Sequence, residues 1–346
     1  MKREFSFTRF LMATAAIVII FAGIKLASEI VVPFLLSLFI AIICSPVIRF
    51  MTERRIPRWL AISVLFLLIV IVFFLLVGLI NNTIHEFTQS IPQYRILLSE
   101  RLKDLSVIAE RFHLSLDVYR EQVIEQFDPS VMMNLVSKLL LSFSGVVTNV
   151  FVLFLVVILM LLEAPSAKHK FSVAFSRQDQ IVQQENYIDR ILQGVINYLG
   201  VKTIISLITG VVLFILLKVA NVQYAILWAT LTFLLNYIPN IGSIIAAVPI
   251  ILQTLLLNGF ATCFGVSVGI IVINIVIGNI LEPKMTGRSL GLSTLVVFLS
   301  LLFWGWLLGT VGMLLSVPLT MVLKIALEAS PSTLKYAALL GDVEES

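Results

Sequence analysis

Between Lys218 and Glu282 the chain carries no Asp, Glu, Lys, Arg or His, a tract of 63 residues. As one helix at 1.5 Å per residue it would be about 95 Å long. The hydrocarbon core of a bilayer is about 30 Å thick, so two straight crossings with ordinary tilt do not absorb that length. Three crossings would, and so would one crossing plus a pair of arms that turn back on themselves. Near the middle lies "NYIPNIGS", residues 236–243, where Pro239 removes a backbone donor and Gly242 permits a turn or a close approach. In lipid, backbone groups freed by such a break must find partners or line a cavity. Asn236, Tyr237, Asn240 and Ser243 are suited to supply those partners.

That membrane premise rests on composition. Apolar residues make up 59% of the chain, charged residues 13%, and the mean hydropathy is +1.05. Soluble domains carry roughly 25% charged residues, and so apolar a chain in water would expose more apolar surface than a soluble protein tolerates. Further apolar runs at about 10–27, 30–48, 60–80, 143–162 and 203–219, with a second long uncharged tract at 289–323, have helical length and lack the short alternating segments of a barrel. The fold class expected is therefore an all-α integral membrane protein. The first run has no small-x-small cleavage site after it and is followed at once by a second, which favours an uncleaved helical hairpin over a signal peptide.

Lys and Arg in short loops set the orientation. The N-terminus is basic, and the loop "RFMTERRIPRW" holds Arg54, Arg55 and Arg58, so both are expected in the cytoplasm. Residues 1–81 then form three membrane helices, and 82–140 an extracytoplasmic segment in which Tyr94, Leu98, Leu102, Leu105, Ile108 and Phe112 recur at amphipathic helical spacing. A fourth helix covers 141–162. Residues 163–202 read as a cytoplasmic loop with its own amphipathic helix, 203–327 as the C-terminal membrane helices, and 328–346 as a cytoplasmic tail. Lys284 and Arg288 against Glu282 put the loop "LEPKMTGRS" inside, which requires the chain to reverse near 236–242.

The groups that carry enzymatic chemistry are missing from this pattern. The three histidines have no partner at metal or triad spacing, the two cysteines, Cys44 and Cys263, lie far apart in apolar runs, and no phosphate-binding loop occurs. No enzyme, cofactor, metal or nucleic-acid partner is expected. A simple proline kink with interhelical hydrogen bonds is one reading of 236–243. A second segment favours the other: "FLLNYIPNIGSIIAAVP" (233–249) aligns with "FWGWLLGTVGMLLSVP" (303–318), each with a Phe, a Gly nine residues on, and a terminal Pro. Paired Gly/Pro-interrupted segments are the best sequence pointer to a transporter's substrate site. Between them, Asn274, Gly278 and Glu282 share one stripe if the helix is regular, and Pro283 is expected to end it. With no carboxylate inside either tract, a neutral polar solute is the favoured cargo, and a carbonyl-lined site for a monovalent cation is the alternative.

Several stretches resemble the autoinducer-2 exporter family of bacterial permeases: "SPVIRFMTERRIPRWLAI" (45–62), "NYIPNIGSIIAAVPIIL" (236–252) and "GNILEPKMTGRSLGLSTLVVFLSLLFWGWLLGTVGMLLSVPL" (278–319). The pattern of Asn279, Pro283, Lys284 and Gly287 is the most specific element. The resemblance implies a multi-pass protein of the bacterial inner membrane with about eight membrane helices, Gly/Pro-broken or re-entrant hairpins, cytoplasmic termini and a homo-oligomeric, pentameric assembly. Members of that family are assigned export of autoinducer-2, or extrusion of sodium or lithium in exchange for protons. By motif, Pro239, Asn240 and Gly242 fall in a first re-entrant turn, Asn279, Glu282, Pro283 and Lys284 at a central loop, and Gly309, Gly312 and Pro318 in a second hairpin. The leading expectation is a permease exporting a small polar metabolite, its path lined by Asn236, Tyr237, Asn240, Ser243, Asn274, Asn279 and Glu282. A cation/proton antiporter with Glu282 titrating comes second, and a non-transporting membrane scaffold third.

Overall fold

The structure is a computed structural model that describes residues 7–76, 78, 150–175, 181–239, 241–286, 291–329 and 333–341. The expected extracytoplasmic segment, with its amphipathic helix, lies outside the described residues. So do Asn240, Gly287 and Arg288. Among the described residues all regular structure is helical: α1 (Phe7–Leu26), α2 (Ser28–Glu53), α3 (Arg58–Leu76), α4 (Val150–Phe175), α5 (Ile181–Val219), α6 (Ala225–Leu235), α7 (Gly242–Asn258), α8 (Phe260–Ile273), a π-helical segment (Asn274–Leu281), α9 (Glu282–Thr286), α10 (Thr294–Leu314), α11 (Ser316–Glu328) and α12 (Leu334–Leu340). Five helical stretches among the described residues are long and apolar enough to cross a membrane: 28–53, 58–76, 187–219, 260–285 and 294–314. Their outer faces carry large apolar side chains such as Ile30, Val219 and Phe264, each more than two-thirds exposed, as a lipid-facing surface requires.

Two expectations about segment ends are corrected. No separate loop helix precedes a span at 203–219; α5 runs unbroken for 39 residues, about 58 Å. No proline lies between 166 and 238, and isolated glycines at 194, 200 and 210 do not stop a helix. Nor does the helix end at Pro283. A π-helix closes at Leu281 and α9 follows, with Pro283 in its first turn, where a missing N–H costs little.

The described residues fall into two compact units. One draws on residues 1–65, 146–199 and 289–346, the other on 66–145 and 200–288. In the first, Phe39, Val195, Tyr198, Leu199, Leu292, Leu315, Val317, Met321 and Ile325 form the buried core. Proline inside α2 is accommodated locally: Pro46 cannot donate to the Ile42 carbonyl, and Ser45 Oγ donates to it instead at 2.9 Å. Ser37 Oγ, which donates to the Pro33 carbonyl at 2.7 Å, lies 3.2 Å from the Leu153 carbonyl where α2 packs on α4. The Arg58 guanidinium donates at 2.7 Å to the Leu161 carbonyl inside α4, to which Pro165 has no N–H to offer.

Within this unit α10 breaks at Gly309, whose φ of 69° and ψ of −150° lie outside helical space and in a region essentially reserved for glycine. The chain then returns along itself through α11. Trp304 Nε1 donates to Thr320 Oγ1 at 2.9 Å, and a Cβ on Gly312 would lie 2.0 Å from the Trp304 carbonyl oxygen. Pro318 is buried at the start of the returning arm. The first arm up to the break, 294–308, is about 22 Å long, short of a full crossing.

Candidate functional site

The second unit holds the other break. α6 and α7 pack against each other as an antiparallel hairpin around residues 236–241. Contacts pair the arms at three levels. Near the root, Asn258 Nδ2 donates to the Asn221 carbonyl at 3.1 Å. Midway, Gln253 Nε2 donates to the Gln223 carbonyl at 2.9 Å while its Oε1 accepts from Trp228 Nε1 at 2.8 Å. At the tip, a Cβ on Gly242 would lie 1.8 Å from the Leu235 carbonyl oxygen, so only glycine lets the arms close. The reversal at 236–242 is therefore a hairpin and not a kink. The turn's own amides are used, Gly242 N donating to the Ile238 carbonyl and Ile241 N to the Pro239 carbonyl.

α5 presents a polar strip to this hairpin. Lys202, Thr203, Ser206 and Thr209 follow at steps of one, three and three, on one helical face. Tyr237 OH donates to Thr203 Oγ1 at 2.8 Å, and Asn236 Nδ2 donates to Ser206 Oγ at 3.1 Å. Lys202 Nζ meets Glu282 Oε1 at 2.5 Å, the lysine side chain being 4% exposed and the carboxylate 26%. A lysine this buried needs a charged partner, since desolvating an unpaired ammonium is prohibitive. Just beyond Ser206 lies a recess lined by Thr209 and Leu213 of α5, Thr232 of α6, Ser243, Ala247 and Ile250 of α7, Ile270 and Ile273 of α8, and Asn274. Its free space admits roughly one water molecule.

The expected path residues thus separate into groups. Asn236 and Tyr237 fasten the hairpin tip to α5, with Pro239 and Gly242 forming the turn. Ser243 and Asn274 line the recess. Glu282 does not share a stripe with Asn274 through α-helical spacing, because residues 274–281 are wound as a π-helix; it faces Lys202 instead. Asn279 and Pro283 are exposed, and Asn279 is not among the recess residues. Gly309, Gly312 and Pro318 belong to the first unit's hairpin. Of the loop cations, Arg54, Arg55 and Lys284 are exposed and Arg58 donates to the Leu161 carbonyl within α4. Sequence reasoning missed Lys202, Thr209 and Thr232. Lys202 is the last residue of the stretch expected as a loop, and hydroxyl residues inside an apolar helix give no signal of which way they face.

Long apolar helices with outward apolar faces and glycine-closed hairpins define a multi-pass helical membrane protein. Residues 14–332 match the family described as AI-2E family transporter, and the chain belongs to that family. It is 67% identical over 346 residues to a Haemophilus influenzae protein named, provisionally and without a cargo, for transport; the match covers all of this chain and 99% of that one. It is 46% identical over 329 residues to the AI-2 transport protein TqsA of Escherichia coli, covering 95% and 94% of the two chains. It is also 24% identical over 322 residues to a sodium-lithium/proton antiporter of Halobacillus andaensis, covering 86% and 89%.

Proposed function

We propose that this chain is a permease of the bacterial inner membrane that exports a small polar metabolite, with autoinducer-2 as its cargo. The observation that carries the reading is a recess with apolar walls whose polar groups, Thr209, Thr232, Ser243 and Asn274, are hydroxyls and an amide, set against a hairpin break and with no ionised group in its lining. Such a lining suits a neutral solute rich in hydroxyl or carbonyl groups. The 46% identity to a protein named for AI-2 transport supports the choice of cargo. α6, at 11 residues, is about 16 Å long and α7, at 17, about 25 Å, so the hairpin is read as re-entrant, dipping into the bilayer without crossing it. With space for one water, the described conformation is closed, and passage requires the tip to part from α5. About eight membrane helices, cytoplasmic termini and a homopentameric assembly complete the proposal.

The test uses inverted membrane vesicles from cells lacking their own exporter, loaded by expression of this chain. Uptake of autoinducer-2 above that of empty-vector vesicles is expected, reduced about tenfold in Asn274→Leu. Equal uptake with and without the wild-type chain overturns the cargo.

Exchange of sodium or lithium for protons is the second reading. It is favoured by the Lys202–Glu282 pair, whose carboxylate could leave the ammonium to take up a sodium ion or a proton. It requires that sodium chloride collapse an imposed pH gradient in vesicles of the wild-type chain and not of Glu282→Gln. Gradients that decay alike in both exclude it.

A further inference from the structure

The recess contains one side chain that the hairpin does not explain. Thr232 is 5% exposed, lines the recess, and its Oγ1 is buried with no hydrogen-bond partner. Elsewhere in these helices a hydroxyl commonly settles on a carbonyl three or four residues back, as Ser300 does on Val297 and Ser316 on Met313. Ser37 donates to Pro33, Ser63 to Trp59, Thr209 to Ile205, Thr254 to Ile250 and Thr320 to Ser316, all at 2.7–2.9 Å. This is the cheapest solution for a hydroxyl in an apolar helix, since it needs only one rotamer choice. The corresponding acceptor for Thr232 is the Trp228 carbonyl, one turn back on the same helix, and the bond is not made. A buried polar group left without a partner costs free energy. A chain that has used the remedy at these other positions omits it on the wall of its own recess.

We infer that Thr232 is a cargo-contacting residue, its hydroxyl kept unpaired so that it bonds a hydroxyl or carbonyl group of the solute. The inference rests on the permease reading and names the residue that sets specificity within it. Thr209 and Asn274 complete the polar side of the recess. Thr209 Oγ1 already spends its proton on Ile205, so toward the recess it offers only acceptor capacity. Thr232 supplies the donor that Thr209 lacks. A site built around an unpaired donor rejects a solute without the matching acceptor, because that donor then stays unsatisfied in the complex.

The test compares Thr232→Val, which keeps the branched shape and removes the hydroxyl, with Thr232→Ser, which keeps the hydroxyl. Two readouts are taken on the full chain: melting temperature in detergent and autoinducer-2 uptake into inverted vesicles. Thr232→Val is expected to melt about 2 °C higher than wild type, since an unsatisfied buried hydroxyl is removed. Its uptake is expected to fall about tenfold, with Thr232→Ser retaining wild-type uptake. A group with a purely structural bond moves the other way, lowering the melting temperature on removal. A lower or equal melting temperature for Thr232→Val overturns the inference, as does wild-type uptake by that variant. If the wild-type chain moves no autoinducer-2, the proposed cargo fails, and the melting temperatures alone decide whether the hydroxyl is unpaired by design.

Discussion

Gly242→Ala tests the hairpin directly. In an ordinary helix, replacing glycine by alanine is favourable by up to about 1 kcal/mol. Gly242 opens α7, and the added Cβ would sit 1.8 Å from the Leu235 carbonyl oxygen and 3.3 Å from Ile238 Cβ. A carbon and an oxygen approach to about 3.3 Å, so the α6 carbonyl and the Gly242 backbone must separate by about 1.5 Å. The obstacle is backbone on both sides, and no side-chain rotation relieves it. The arms are also fixed to each other by Gln253 and Asn258, so the strain cannot spread along the hairpin. Overpacking of this kind costs at least about 2–3 kcal/mol, which outweighs the helix-propensity gain. For a chain of this size that corresponds to a fall of about 3–4 °C in melting temperature. The control is Gly265→Ala in α8, where no atom lies within 4 Å of the added Cβ. Both variants are purified in detergent and melted side by side, with near-ultraviolet circular dichroism following tertiary structure. Gly265→Ala should match or exceed wild type. If Gly242→Ala melts no lower than Gly265→Ala, the close crossing of α6 and α7 is wrong.

Other substitutions separate the remaining contacts. Glu282→Gln leaves the Lys202 ammonium buried without its counter-charge and should cost about 3 kcal/mol, whereas the double change Lys202→Met with Glu282→Leu should recover most of that; melting temperatures of the two variants give the comparison. Gln253→Leu strands Trp228 Nε1 and the Gln223 carbonyl together, an expected loss of about 2 kcal/mol, visible as a lower melting temperature and a changed Trp228 emission spectrum. Gly309→Ala meets no atom within 4 Å but must adopt a backbone conformation nearly closed to alanine, so its cost of about 1–3 kcal/mol is strain alone. Gly312→Ala, with its Cβ 2.0 Å from the Trp304 oxygen, should be the more damaging of the two in the same assay.

How much of this was legible in the sequence depends on the range of the interaction. Helical class follows from run lengths alone. The reversal near 236–242 follows from length and charge together: 63 uncharged residues exceed two straight crossings, and the positive loop that follows selects the reversal, with Gly242 as a residue that allows it. The second hairpin was visible as a glycine nine residues after a phenylalanine. The two glycines prove to do the same job, each excluding a Cβ that would strike a carbonyl of the facing arm, Leu235 in one hairpin and Trp304 in the other. What could not be read was contact across distance. Lys202 and Glu282 are 80 residues apart, and although the sequence singles out Glu282 it does not name Lys202 as its partner. The π-helix at 274–281 was also hidden, because its apolar residues fit an α-helical reading equally well. Thr232 resembles Thr254 in sequence context; only coordinates show that one hydroxyl is satisfied and the other is not.

The hydrogen bonds of the α6–α7 hairpin are unevenly distributed, and the unevenness bears on how a closed recess opens. Away from the tip, the arms are bound to each other by Gln253, which pairs with both Trp228 and Gln223, and by Asn258. At the tip, glycine contact locks the arms together, so they move as one body. What holds that body to α5 at its tip is of a different kind: Tyr237 on Thr203 and Asn236 on Ser206, hydroxyl and amide groups at the ends of side chains. Such bonds are worth about 1 kcal/mol each when exchanged for equivalent partners. A polar solute or water entering between α5 and the tip offers those equivalents, while nothing comparable is on offer to the buried fork of Gln253. The side-chain bonds that hold the tip to α5 are thus the ones a passing solute can replace. On the permease reading proposed above, Asn236 and Tyr237 would act at the opening of the path, although the recess itself is lined by others.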